Sequence, residues 1–101
     1  MSYENYIKKG PGTGKKATVF MFTLSTCIWC KKTKELLKEL GAEYSYVDVD
    51  LVGAEARELV LKDFAKYNKQ LSYPTVVLNG GKNVIIGFEE DRIKEIIQDG
   101  K

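Results

Sequence analysis

The stretch "ATVFMFTLSTCIWCKKTKELLKELG", residues 17–41, decides the fold of this chain. Its first eight residues form a run rich in β-branched and aromatic side chains, which is typical of a strand buried on both faces of a sheet. Ser25 or Thr26 then offers a hydroxyl that can cap a helix, and helix-forming residues follow as far as the closing glycine. The stretch therefore predicts a buried strand that leads directly into a helix, with Cys27 and Cys30 at the junction.

The rest of the chain supplies three more strands and two more helices, in the overall order β-α-β-α-β-β-α. The first strand–helix–strand unit implies a parallel pair with a right-handed crossover, and the closing hairpin adds an antiparallel pair. These elements predict an α/β fold with one four-stranded mixed sheet and helices on both faces. The later elements are expected at 44–50 (strand), 53–68 (helix), 75–79 and 83–88 (strands) and 89–98 (helix).

The composition is that of one ordinary globular domain. The chain has 101 residues, of which 44% are hydrophobic and 30% charged, and a net charge of +2 that gives no support to nucleic-acid binding. No stretch reads as a signal peptide or as a membrane-spanning helix, so we expect no membrane association and a cytoplasmic location. In that reducing setting a close pair of cysteines is more often metal-binding or catalytic than structural.

The first sixteen residues are expected to form a basic, flexible, solvated arm, and residues 17–101 the folded domain. The glycine-rich stretch at 10–17 is not a phosphate-binding loop. Lys9 stands where that motif needs its first glycine, Lys16 stands where it needs a hydroxyl, and no strand precedes the stretch.

Three readings of the cysteine pair can be weighed. A structural zinc site takes four ligands, whereas the chain has two cysteines and no histidine. An inert buried pair is possible, because cysteine is often simply a core residue. A redox pair fits the position best, since Cys27 at a helix start faces unpaired backbone N–H groups that favour the reactive thiolate.

The spacing also predicts different roles for the two thiols. Cys27 would attack a target disulfide, and Cys30, one turn further along and covered by the protein, would attack the resulting mixed disulfide. The Tyr73–Pro74 turn precedes the third strand, and this topology brings it beside the helix start that carries Cys27. There the backbone of Tyr73 could pair with an extended peptide substrate.

The C-I-W-C motif at a helix start, the Tyr-Pro-Thr turn and the closing "GFEEDRI" resemble the glutaredoxin branch of the thioredoxin fold, over residues 17–98. The tail is most similar to glutaredoxin-like redoxins that reduce ribonucleotide reductase. The resemblance implies thiol–disulfide exchange, with Cys27 as nucleophile, Cys30 as resolving thiol and Pro74 as a cis proline. The residues expected to contact substrate are Ile28, Trp29, Tyr73, Pro74, Thr75, Gly87, Phe88 and Glu89.

The chain departs from the family pattern at several positions. Ile28-Trp29 replaces the usual Pro-Tyr between the cysteines. Glutathione-binding members carry a lysine shortly before the first cysteine and a second glycine where this chain has Phe88. The glutathione site is therefore incomplete, although acids at 89–91 could still meet the γ-glutamyl ammonium. We expect no bound metal or other resident cofactor.

The sequence thus predicts a monomeric dithiol oxidoreductase that reduces protein disulfides, ribonucleotide reductase being one candidate substrate. Its electron donor is left open between a protein reductase and a low-molecular-weight thiol such as glutathione. The alternative is an iron–sulfur module in which two protomers share a [2Fe–2S] cluster. Trp29 is expected either to anchor a partner or to cover Cys30, and Phe88 either to wall the groove or to pack in the core.

Overall fold

A computed structural model of the chain describes residues 3–10 and 18–98. Three short 3-10 turns accompany the main elements, at Glu4–Tyr6, Val49–Leu51 and Asn79–Gly81. No helix in the described part of the chain has both the length and the apolar character needed to cross a membrane. The strands are β1 (Ile7–Lys9), β2 (Val19–Thr23), β3 (Ser45–Asp48), β4 (Thr75–Leu78) and β5 (Asn83–Ile86), and the helices are α1 (Ile28–Glu39), α2 (Ala54–Tyr67) and α3 (Glu90–Gln98).

The strands form one mixed sheet in the order β1-β3-β2-β4-β5. β2 lies near the centre, parallel to β3 on one side and antiparallel to β4 on the other. β4 and β5 form the predicted hairpin, with Thr75 opposite Ile86. The parallel pair places the carboxyl ends of β2 and β3 at the same edge of the sheet, and the α1 start lies at that edge.

Alternation along β2 builds a core on each face of the sheet. Val19 and Met21 belong to one buried cluster, which also contains residues of α1 and α3. Phe22 belongs to the other cluster, where its ring stacks on Phe64 of α2 with centroids 4.5 Å apart. Helices therefore cover both faces of the sheet, as predicted, and α1 packs against the strand that precedes it.

The end of α1 follows a simple local rule. Gly41 adopts a φ of +69°, a left-handed conformation that glycine reaches without steric cost. Its N–H donates to the Lys38 carbonyl, and the Ala42 N–H donates to the Leu37 carbonyl, so these two carbonyls near the helix end are satisfied. The glycine thus ends the helix where the sequence predicts.

The predicted count of four strands is wrong, because β1 adds a fifth. This strand pairs antiparallel with β3, with Ile7 opposite Val47. It is three residues long and carries Lys8 and Lys9, both exposed. A short, charged strand is common at a sheet edge, and it lacks the apolar alternation by which strands are recognised in a sequence.

Part of the predicted basic arm is therefore folded onto the domain. The Tyr3 hydroxyl donates to Asp63 (2.9 Å) and the Tyr6 hydroxyl donates to Glu55 (2.5 Å), so both tyrosines bond to α2. Residues 3–10 thus differ from the solvated arm expected there. The predicted boundary at residue 17 and the glycine-rich stretch from residue 11 onward lie outside the described residues.

Candidate active site

Cys27 is the residue that caps the start of α1. Its Sγ accepts a hydrogen bond from the Cys30 backbone N–H, at 3.1 Å. The capping atom is therefore the cysteine sulfur and not a hydroxyl of Ser25 or Thr26, as the sequence suggested. Cys27 is partly exposed, so its sulfur combines access from solvent with contact to the positive end of the helix.

Cys30 lies behind Cys27 and is fully buried. Burial first, and a hydrogen bond between the two cysteine side chains second, raise the pKa of the Cys30 thiol to about 12, from an ordinary value of 9.0. Both cysteines are free thiols. The pair thus consists of one accessible sulfur and one shielded sulfur that holds its proton tightly.

The loop that precedes Cys27 is held by a carboxylate from the neighbouring strand end. Asp50 accepts hydrogen bonds from the Ser25 N–H (2.9 Å) and the Ser25 hydroxyl (2.5 Å). The hydroxyl bond is the largest cause of a lowered pKa of Asp50. Asp50 is exposed to solvent, and its carboxylate braces the segment between β2 and α1.

Five of the residues predicted to contact substrate line one groove of about 180 Å³. The Tyr73–Pro74 peptide bond is cis, as the resemblance implied. Among the described residues no main-chain hydrogen bond involves Tyr73, whereas the Pro74 carbonyl accepts one from Gly87 (2.8 Å). The residues that line the groove are Trp29, Tyr73, Pro74, Gly87 and Phe88.

Trp29 and Phe88 form an aromatic wall of this groove. Their rings are stacked, with centroids 5.7 Å apart. Trp29 is 54% exposed and therefore does not serve as a buried lid over Cys30. Phe88 is half-buried and packs against the core while also lining the groove, so both roles considered for it apply.

The other three predicted contact residues have different surroundings. Ile28 is 64% exposed next to Cys27 and is free to meet a partner. Glu89 is exposed at the start of α3 and lies 3.7 Å from Arg92. Thr75 is fully buried, so its side chain is not available to a substrate.

A buried network explains the position of Thr75. Its hydroxyl donates to the Ser72 carbonyl (2.9 Å) and accepts from the Asn68 amide (3.0 Å). The same amide donates to the Ser72 hydroxyl (2.9 Å), and the Asn68 side-chain oxygen accepts from the Gln70 N–H (3.1 Å). Sequence reasoning missed Asn68, which fixes both ends of the loop that carries Tyr73 and Pro74.

Asp48 is buried, although an acid at the end of a strand is usually solvated. It is 7% exposed, and the Thr23 hydroxyl donates to its carboxylate at 2.6 Å. The Lys34 ammonium lies 3.9 Å from the same carboxylate. The sequence gives no signal that Asp48 and Lys34 meet, because the neighbours of Asp48 are ordinary apolar strand residues. Only the spacing of Lys34, one helical turn after Cys30, can be recognised in the sequence. In the described part of the chain, no group of three or more potential ligand side chains is arranged to hold a metal.

Comparison with known proteins identifies the family. A family model described as glutaredoxin matches residues 19–82. The chain belongs to the glutaredoxin family. The match spans more than half of the chain and includes both cysteines and the Tyr73–Pro74 turn, while the groove residues Gly87 and Phe88 fall beyond it.

Individual relatives of this glutaredoxin family member agree. An uncharacterized glutaredoxin-like 8.6 kDa protein in the rubredoxin operon of Clostridium pasteurianum is 33% identical over 78 residues, which cover 77% of this chain and 95% of that protein. Methanoredoxin from Methanosarcina acetivorans is 41% identical with a TM-score of 0.73, over 79% of this chain and 83% of that one. A glutaredoxin from Methanosarcina mazei is 35% identical with a TM-score of 0.78, over 91% and 87%. The fold and a function of the thiol–disulfide oxidoreductase type follow.

Proposed function

We propose that this glutaredoxin family member reduces protein disulfides through reversible oxidation of Cys27 and Cys30. One observation supports the proposal above the others. The Cys27 sulfur lies at the start of α1, accepts a backbone N–H, and remains accessible, while Cys30 is buried directly behind it. This is the asymmetry that a two-step exchange needs, since one thiol must meet the substrate and the other must act afterwards.

The exchange balances without an added cofactor. The Cys27 thiolate attacks one sulfur of a substrate disulfide, an S–S bond forms between them, and the other substrate sulfur leaves as a thiolate. Cys30 then loses its proton and attacks Cys27, which releases the second substrate thiolate. The protein ends as a Cys27–Cys30 disulfide, and the substrate has gained two electrons and two protons. A reduced low-molecular-weight thiol or a protein reductase would return the electrons.

The groove is lined by Trp29, two residues after Cys27, and it suits an extended peptide better than a compact ligand. A peptide over the Tyr73–Pro74 turn could pair with the backbone of Tyr73, and an adjacent side chain could rest on the Trp29–Phe88 wall. We infer a protein substrate with an apolar residue near its disulfide, and ribonucleotide reductase remains a candidate. A shared iron–sulfur cluster remains the alternative prediction. Of the two cysteine thiols only Cys27 is accessible, so each protomer would supply one thiolate and a second molecule would have to supply the other.

Truncation of Trp29 should lower kcat/KM for protein disulfides more than for small disulfides. Trp29→Ala removes an exposed aromatic contact, so kcat/KM for a protein disulfide should fall by about tenfold, equivalent to about 1.4 kcal/mol. Reaction with a small disulfide reagent should change much less. Leu59→Ala, which removes an exposed apolar side chain from α2, serves as the control. Equal losses for both kinds of disulfide would contradict a partner-binding role for Trp29.

The stoichiometry of oxidation tests the proposed function directly. The reduced protein is mixed with one equivalent of dithionitrobenzoate, and release of thionitrobenzoate is followed by absorbance. We expect two thionitrobenzoate ions per chain and a product in which mass spectrometry finds an internal disulfide. A stable adduct that retains one thionitrobenzoate would rule out the dithiol mechanism. Assays with insulin and reduced glutathione, or with a flavin-linked reductase, would then identify the donor.

A further inference from the structure

Lys34 lies one helical turn beyond Cys30 on the inner side of α1. Residues four apart on a helix are neighbours, so the Lys34 side chain starts beside the buried thiol. Only 21% of that side chain is exposed, whereas Lys31 and Lys32 on the same helix are open to solvent. A largely covered lysine next to a buried cysteine needs a physical explanation, because lysine is seldom buried without a partner.

Two contacts hold the Lys34 ammonium in place. It lies 3.7 Å from the centre of the Tyr46 ring, within range of a cation–π interaction. It also lies 3.9 Å from the carboxylate of Asp48, which is itself fixed by the Thr23 hydroxyl. Thr23, Tyr46 and Asp48, all on the central strands, thus keep a positive charge against α1.

Cys30 has few other charged or titratable neighbours. Cys27 faces it from the helix start and raises its pKa, as burial does, whereas a main-chain hydrogen bond from Leu24 and the charge of Lys34 lower it. Tyr73, from the loop before β4, also interacts electrostatically with Cys30. Lys34 is therefore a cation that acts on this thiol, and its ammonium is held in place by Tyr46 and Asp48.

We propose that Lys34 is a positioning residue for the resolving step, in which its ammonium, held by Tyr46 and Asp48, stabilises the Cys30 thiolate as it attacks the mixed disulfide. The inference rests on the proposed function. In that step the Cys30 proton passes to solvent, an S–S bond forms between Cys30 and Cys27, and the bond from Cys27 to the substrate sulfur breaks. The leaving sulfur takes the electron pair.

The test separates the two steps in a stopped-flow instrument. Reduced protein is mixed with one equivalent of dithionitrobenzoate between pH 6 and 9. The first release of thionitrobenzoate reports the attack by Cys27, and the second release reports the attack by Cys30. In Lys34→Met we expect the first phase to be unchanged and the second to be about tenfold slower at each pH, because loss of the opposite charge lowers the fraction of Cys30 that is thiolate. Lys34→Arg should restore the second phase to within about threefold, because the charge returns.

Two further variants keep the test decisive. Lys38→Met removes a charge one turn further along the same helix, from an exposed position, and should leave both phases unchanged. If Lys34→Met alone is unstable because Asp48 is left buried without its cation, Lys34→Met with Asp48→Asn removes both charges and should show the same slow second phase. An unchanged second phase in these variants, or an equal slowing in Lys34→Arg or Lys38→Met, would overturn the inference. A wild-type protein with no second phase at all would instead refute the proposed function.

Discussion

Serine in place of Cys27 should abolish disulfide reduction. A serine hydroxyl keeps its proton at neutral pH and does not exchange with disulfides, so the first S–S bond cannot form. We expect turnover in an insulin-reduction assay to fall on the order of a thousandfold or more, the scale of loss seen when an enzyme nucleophile is removed. The variant should still fold, because the serine oxygen can accept the Cys30 N–H and cap α1 in place of the sulfur.

The matched variant Cys30→Ser should fail at the later step. Its Cys27 can still attack, but no second thiol releases the product, so a mixed disulfide with the substrate protein should accumulate in a one-to-one ratio. Non-reducing gel electrophoresis and mass spectrometry of the adduct would measure it. Retained turnover in Cys27→Ser, or an adduct formed through Cys30 in that variant, would show that the roles of the two cysteines are assigned wrongly.

The central part of the fold is predictable because its signals are local. The apolar run at 17–24 is long enough to mark a strand buried on both faces, and Gly41 marks the end of the helix that follows. Both predictions hold, and the boundaries shift by only one or two residues. By contrast, β1 depends on pairing with β3 and on tyrosine contacts with α2. These are tertiary contacts, and the three exposed or half-exposed residues of β1 carry no local sequence pattern that predicts them.

The candidate site likewise has one part that the sequence predicts and another that depends on contacts between distant residues. The position of Cys27 follows from the strand-to-helix junction, and the groove residues follow from the resemblance to a family with a known arrangement. The burial of Asp48 and the contact of the exposed Asp50 with Ser25 were not foreseen, because an acid at the end of a strand is usually solvated and without such a partner. Their partners, Thr23, Lys34 and Ser25, lie about 14 to 25 residues away in the sequence, and only the folded sheet brings them together.

Substitution of Asn68 should destabilise the folded protein strongly. Asn68→Ala removes the amide that bonds to Ser72 and Thr75 and the oxygen that accepts from Gln70. Asn68 and Thr75 are buried, so the lost bond between them is not replaced by water, whereas the bonds to Ser72 and Gln70 are only partly shielded. We expect the free energy of unfolding to fall by about 2–4 kcal/mol, measured by urea denaturation.

The same change should loosen the loop that presents the Tyr73–Pro74 turn to a substrate. We therefore expect kcat/KM for a protein disulfide to fall by about tenfold in Asn68→Ala, while the first reaction of Cys27 with dithionitrobenzoate stays fast. Gln70→Ala is the control in the same loop, since its exposed side chain can be removed while its backbone bond to Asn68 remains, and its stability should stay within about 0.5 kcal/mol of wild type. If Asn68→Ala were as stable and as active as Gln70→Ala, the buried network would not be what fixes the substrate-facing loop, and the groove would owe its shape to the packing of Tyr73 on Phe64 instead.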